Sequence, residues 1–480
     1  MHRRHHTPGA PIGATRMRWS LLLLLSVAQL MVILDISAVN VALPDLSEDL
    51  GIARADIGWT ITSYSLIFGS LLLFGGRAAD LLGRRRVFLA GLGVFTASSL
   101  VTALAGDAAV LFAARAGQGL GAAMLSPAAL SIITTSFHGP QRAKALGVWG
   151  AVGGAGAAIG VLLGGALTEL VDWRAIFSIN VPIGALLAAG AMHIIPADTA
   201  RPRRRGLDLR GALLATASLG ALVYALSQAQ DAGWTSMQTL GIGGAAIAGI
   251  AAFAALELRT RQPLLRVQRL TDRAIGGGFV MMLAASAVLF GSFLLSSLYL
   301  QQVLGTGALE TGLAFLPFAA AIGVGVHAAT HLITRAGVRV PLAAGFAVTA
   351  AGMLLLSGVG EQGSYLADVL PGMVIAGLGL GIVLVAVAVS VLTGARDEES
   401  GMLSGLNTTG HEIGGSLGIA ILATIATSAL GPGAAASAIG DAYLAAAVIA
   451  AVASAAALVI LPSAKTFLPK LALTPHVAVH

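Results

Sequence analysis

The 480-residue chain contains no cysteine, which excludes disulfides, thiolate nucleophiles and thiolate metal sites. Charge is scarce as well. Only 10% of residues are Asp, Glu, Lys or Arg, against about 25% in soluble domains. No loop is long enough for a separate soluble domain, and there is neither a His-Glu-x-x-His zinc signature nor a phosphate-binding loop. These absences argue against an enzyme or a sensor with an output domain, and no cofactor is expected. What remains is apolar: 56% hydrophobic residues, 62 glycines and a mean hydropathy of +0.87. In water, such a chain would expose apolar surface far beyond the few hundred Å² that soluble monomers carry. The composition reads as an all-α polytopic membrane protein.

Apolar runs of about 20 residues, the length that crosses a bilayer, predict fourteen spans. They lie at 19–42, 57–78, 86–105, 108–131, 144–168, 174–196, 210–229, 238–258, 273–299, 309–333, 339–358, 366–393, 404–430 and 438–461. The first run is too long for a signal-peptide core and lacks a small-residue cleavage site, so it reads as an uncleaved span. Under this count all 28 Lys and Arg except Arg54, Arg174 and Arg115 fall on one side. The positive-inside rule then places both termini in the cytoplasm of a cell-membrane protein. The net charge of +6 therefore marks topology rather than nucleic-acid binding. The runs Arg201–Arg205 and Arg259–Arg273 read as anchors touching anionic lipid.

The outer spans pair as two halves. Ala114-Arg115-Ala116-Gly117-Gln118-Gly119-Leu120-Gly121 has an echo in Gly372-Met373-Val374-Ile375-Ala376-Gly377-Leu378-Gly379, with Met373 opposite Arg115. Asp80-Leu81-Leu82-Gly83-Arg84-Arg85 resembles Thr334-Arg335-Ala336-Gly337-Val338-Arg339, with Gly83 opposite Gly337. The expected organisation is a tail (1–18), a six-helix bundle (19–196), basic linkers with two extra helices (197–272), a second six-helix bundle (273–461) and a tail (462–480). A monomer is the expected functional unit.

A few polar residues stand out against this background. Asp35 sits inside the first span, where a carboxylate costs roughly 2.5 kcal/mol or more. It either serves ion or substrate traffic or reaches interfacial water at a helix end. Arg115 keeps its charge at any working pH, so it needs a carboxylate, backbone carbonyls or a wet cavity. Gly156, Gly160 and Gly164 form a small-residue stripe suited to close helix packing. His411 and Glu412 in span 13 stand either in a cavity or at a helix end. His327 and His331 lie four apart on one span without identifiable further metal ligands. Gln29, Asn40, Gln118, Asn180, Tyr224 and Gln228 are candidate cavity donors or acceptors, or polar packing between helices.

Several segments carry a resemblance. Gly76-Arg77-Ala78-Ala79-Asp80-Leu81-Leu82-Gly83-Arg84-Arg85-Arg86 resembles the loop signature of the major facilitator superfamily. Leu34–Pro44, Arg115 with Gln118-Gly119, and Trp173–Gly184 resemble motifs of its fourteen-span drug:proton antiporters of the EmrB/QacA type. The resemblance implies export of hydrophobic small molecules, antibiotics included, by alternating access and driven by protons. The alternative is a transporter of one metabolite on the same fold. It further implies that Asp35 and Arg115 support proton coupling, with Glu412 a second candidate. Gly76, Asp80, Gly83 and Arg84 would latch one conformation; independently of the resemblance, Gln29, Asn40, Gln118, Asn180 and His411 are the candidates to face substrate. One departure is Gly160-Val161, where such antiporters usually have Gly-Pro.

Overall fold

Without water at membrane depth, backbone amides and carbonyls must pair within each segment. The described residues of this chain meet that demand with helices alone. The computed structural model describes residues 12–52, 56–137, 139–198, 208–261, 263–393, 396, 399–427 and 434–472. The first half comprises α1 (Ile12–Asp49), α2 (Trp59–Leu82), α3 (Arg84–Ala103), α4 (Ala108–Ser136) and α5 (Gly139–Leu170). It ends in a helix interrupted at Ile179, giving α6 (Arg174–Ser178) and α7 (Asn180–Ile194). A hairpin of α8 (Leu209–Ala232) and α9 (Met237–Arg259) follows. The second half begins with α10 (Ile275–Leu298), α11 (Ala308–Ala314), α12 (Leu316–Ala336) and α13 (Arg339–Leu356). It continues with α14 (Leu370–Leu392), α15 (Ser400–Ala426), α16 (Ala434–Ile460) and a short α17 (Ala464–Ala472). The Arg201–Arg205 run, residues 1–11 of the N-terminal tail and residues 473–480 of the C-terminal tail lie outside the described residues, as does the side chain of Asn40.

Twelve helical stretches among the described residues are long and apolar enough to cross a membrane. The expectation of fourteen is therefore matched for twelve. The other two helices at expected spans are α5 and α15. Only Ile159–Leu170 of α5 qualifies, as a shorter apolar helix. On α15, Asn407, Thr408, His411 and Glu412 dilute the apolar character, and all four line an internal cavity. Interior lining, rather than lipid exposure, accounts for that polarity.

The turns that join α2 to α3 and α12 to α13 support the internal repeat. Gly83 has φ 105° and Gly337 has φ 68°, a region that glycine enters without a Cβ penalty. The halves touch at both ends. At the end bearing these basic turns, a Cβ on Gly76 would press on Gly401 and lie 3.1 Å from the Gly405 Cα, while one on Gly147 would lie 3.1 Å from Val326. At the opposite end, Gly312 packs over the Leu162 backbone, and there the α8–α9 hairpin also reaches the second half, the Trp234 Nε1 donating to Thr424 Oγ1 at 2.8 Å.

The glycine stripe of α5 lies along α1. A Cβ on Gly156 would meet Ile33 and Leu30, one on Gly160 would meet Ser37 and the Leu34 Cα, and one on Gly164 would come within 2.6 Å of the Ala38 Cα. These contacts bracket Asp35. Because the obstacle at Gly164 is backbone, Gly164→Ala is expected to cost about 1–3 kcal/mol. Gly153→Ala, whose Cβ would meet nothing within 4 Å, should leave thermal unfolding in detergent unchanged. Equal melting temperatures for both variants would refute the α1–α5 packing.

Candidate functional site

Asp35 and Arg115 meet in the core of the first half. Each is 1% exposed, and the guanidinium Nη1 donates to Asp35 Oδ2. The same nitrogen donates to Gln118 Oε1 at 2.8 Å, and Arg115 Nε donates to the Thr60 carbonyl at 3.1 Å. Tyr64 and Phe177 present their rings to the guanidinium carbon at 4.6 and 5.7 Å. Asp35 Oδ1 in turn accepts from Gln118 Nε2 at 2.7 Å and from Asn180 Nδ2 at 3.0 Å. Ser99 and Thr102 complete the network through Gln118.

Helix geometry explains the convergence. Arg115 and Gln118 are three apart and share a face of α4. Asn180 opens α7, directly after the break at Ile179. A separate apolar cluster that includes Ala38, Val39, Ala42, Leu46, Leu111, Ile176 and Phe177 covers the pair toward the Asp49 end of α1. Besides Asp35, the guanidinium has a carbonyl, an amide oxygen and two ring faces as partners.

A second assembly lies at the basic-turn end. Asp80 Oδ1 accepts from the Gly401 amide and Oδ2 from the Met402 amide, both at 2.9 Å. A carboxylate from α2 thus docks on the N-terminus of α15, where unpaired amides and the helix dipole favour an anion. Arg84 reaches the same carboxylate at 3.4 Å. Gly83 supports the turn, and Asp198, just beyond α7, accepts the Arg85 and Arg86 amides at 3.2 Å each. Asp198 therefore caps α3.

Between the two assemblies a cavity of about 130 Å³ lies where the halves meet. Its walls are mainly apolar, with Phe68, Trp149, Phe290 and Phe293 among them; Gln29, Asn407, His411 and Glu412 supply polar groups. Gln29 accepts from Ser126, and His411 Nδ1 pairs with Ser286 Oγ at 2.6 Å while its ring lies 5.2 Å from Phe290. Sites for drug-sized molecules run to roughly 300–1,000 Å³, so the cavity as it stands is smaller than such a molecule needs.

The expected residues divide among these places. Gln29, His411 and Glu412 line the cavity. Gln118 and Asn180, expected there, belong instead to the Asp35 cluster, because their helix faces turn into the first half rather than toward the second. Tyr224 and Gln228 bond to each other at 3.4 Å on α8. His327 and His331 stack at 5.0 Å on an exposed face of α12, and no group of three metal-ligating side chains occurs among the described residues. Met373, opposite Arg115 in the repeat, is an apolar core residue. Sequence reasoning missed Tyr64, Ser99, Thr102, Asp198 and Glu399. Only Glu399, in the acidic run Asp397-Glu398-Glu399, had a visible signal.

Breaking a buried ion pair strands a charge. Asp35→Asn or Arg115→Gln alone is expected to destabilise the protein by about 3–5 kcal/mol. The double variant should recover much of the loss in unfolding from mixed micelles, and additive losses would refute the coupling.

Comparison with known proteins bears on family and fold. The description "Major Facilitator Superfamily" matches residues 25–419. The chain is 39% identical over 421 residues to the puromycin resistance protein pur8 of Streptomyces alboniger, covering 87% of this chain and 83% of that one. It is 39% identical over 411 residues to the cephamycin export protein CmcT of Amycolatopsis lactamdurans, covering 85% of each. It is 34% identical over 396 residues to the multidrug resistance protein Stp of Mycobacterium tuberculosis, covering 82% and 73%. The solved structure of the human organic anion transporter MFSD10 superposes with a TM-score of 0.67 at 16% identity, over 93% of this chain and all 100% of that one. At that identity the likeness is one of fold. The chain belongs to the major facilitator superfamily of membrane transporters and is related to its drug- and antibiotic-export proteins.

Proposed function

We propose that this protein exports hydrophobic small molecules, antibiotics among them, across the cytoplasmic membrane in exchange for protons. The observation that carries the coupling is the fully buried Asp35–Arg115 pair. A carboxylate held in an apolar span beside a permanent cation is a group whose proton occupancy can bias two conformations. Glu412, on the cavity wall, is a second coupling or cation-recognising carboxylate. The apolar, aromatic cavity walls and the resistance and export names of the relatives support a hydrophobic substrate.

In this reading α5 and α15 also cross the membrane, giving fourteen spans: six, then α8 and α9, then six. The one-sided basic loops support cytoplasmic termini and contact with anionic lipid. Transport proceeds by the two bundles rocking about the cavity. Docking of Asp80 on α15, with Gly76 allowing the close crossing and Gly83 and Arg84 shaping the turn, holds the cytoplasmic end closed. Gln29 and His411 contact substrate, and the protein acts as a monomer.

Expression in an efflux-deficient host is expected to raise tolerance to several chemically distinct antibiotics. Tolerance to none, with accumulation of a single metabolite, would replace this reading with the specific-transporter alternative. In everted vesicles, substrate addition should release protons from the lumen in the wild type. Asp35→Asn, scored per inserted molecule, should abolish that proton movement, and full exchange by this variant would exclude Asp35 as carrier.

A further inference from the structure

Asp80 is not the only carboxylate at the N-terminus of α15. Glu399, 3% exposed, is the N-cap residue of the helix and makes no side-chain cap hydrogen bond to it, so its charge sits beside that of Asp80 at the same helix end. Two anions at one helix terminus repel each other unless a cation intervenes. The cations come from the segment that joins α9 to α10. Arg266 Nη1 pairs with Glu399 Oε1 at 2.6 Å, and Arg269 Nη2 pairs with Oε2. Burial by itself would raise the Glu399 pKa, but the Arg269 hydrogen bond and the charges of Arg269, Arg266 and Arg396 outweigh it and hold the carboxyl below its ordinary value.

The segment is anchored on both sides of these arginines. Upstream, the Leu265 amide donates to Glu257 Oε2 of α9 at 3.1 Å. Downstream, the turn Val267–Thr271 leads into α10. The Arg266 amide also meets Met402 Sδ at 3.4 Å, and Met402 is one of the two residues whose amides hold Asp80. A continuous chain of polar contacts thus runs from the α8–α9 hairpin through Arg266 and Glu399 to the closed end of the interface between the halves.

We infer that Arg266 and Arg269 are positioning residues for the Asp80–α15 latch: they neutralise Glu399, so the N-terminus of α15 stays attractive to Asp80, and they tie the state of that latch to the α8–α9 hairpin. The inference rests on the reading that this latch holds one transport state closed. It assigns the inserted hairpin a role in setting the balance between states rather than in binding substrate.

The absence of cysteine allows a direct test. Spin labels on cysteines placed at Gln141 of α5 and Thr334 of α12, both exposed at the basic end, report the separation of the halves in lipid nanodiscs without any transport assay. Arg266→Gln with Arg269→Gln is expected to raise the long-distance population about fivefold, the scale of a helix-terminus charge interaction. Adding Glu399→Gln to that pair should restore the short distance, and Arg266→Lys with Arg269→Lys should retain it. Glu399→Gln alone should leave the short distance dominant. An unchanged distance in the double Gln variant, an opening that Glu399→Gln fails to reverse, or an opening by Glu399→Gln alone would each overturn the proposal. Because the readout is distance, failure of proton-driven export in vesicles would leave the test intact.

Discussion

The Asp35–Arg115 pair is the constraint on which the first half of the molecule is organised. Neither group can face lipid, and neither can be buried without the other. Six helical segments, α1, α2, α3, α4, α6 and α7, therefore deliver side chains or a carbonyl to one point. The crossing of α1 and α5 at glycines brings two backbones together beside the carboxylate. Among the described residues the second half has no counterpart: Met373, buried in the core, occupies the corresponding place. The buried ion pair is thus confined to one bundle, and the other supplies α15 to the cavity wall and to the Asp80 contact.

The two carboxylate sites differ in kind. Asp35 is served by side-chain donors within its own bundle. Asp80 is served by amides of the opposite half. Both lie on helices that border the cavity region: Ile33, Ile36 and Ser37 of α1 and Phe68 of α2 line it. Movement of α15 would alter the cavity and the Asp80 dock together, since one helix carries Glu412 and His411 at its middle and Gly401 at its end.

Legibility of the sequence followed the physics of each feature. Helices at the expected spans were readable because lipid demands long apolar runs with satisfied backbones. Twelve of them keep that signature. The signature weakens on α15 because its polar residues face an internal cavity, which composition cannot distinguish from a loop. Gly83 was readable as a turn glycine because a positive φ restricts the choice of residue. Gln118 and Asn180 were recognised as polar residues at depth, but their assignment to the cavity was reversed by helix rotation. Tyr64, Ser99 and Thr102 had no signal, because a buried hydroxyl or ring looks like ordinary helix packing until its neighbour is known. Asp198 lies in a connecting segment, where a charge is unremarkable without its partner, and the acidic run that ends at Glu399 was visible but did not reveal what it pairs with.

Composition and hydropathy sufficed for the class, for the helical spans and for the presence of costly ions at membrane depth. These depend on local composition and on the free energy of placing each residue in lipid or water. Only the tertiary structure decided which of those ions meet. The partners of Asp35 lie 80, 83 and 145 residues away, and those of Asp80 lie 321 and 322 residues away. Contacts at such separations are set by how helices rotate and cross, which depends on the packing of the whole bundle rather than on any one segment.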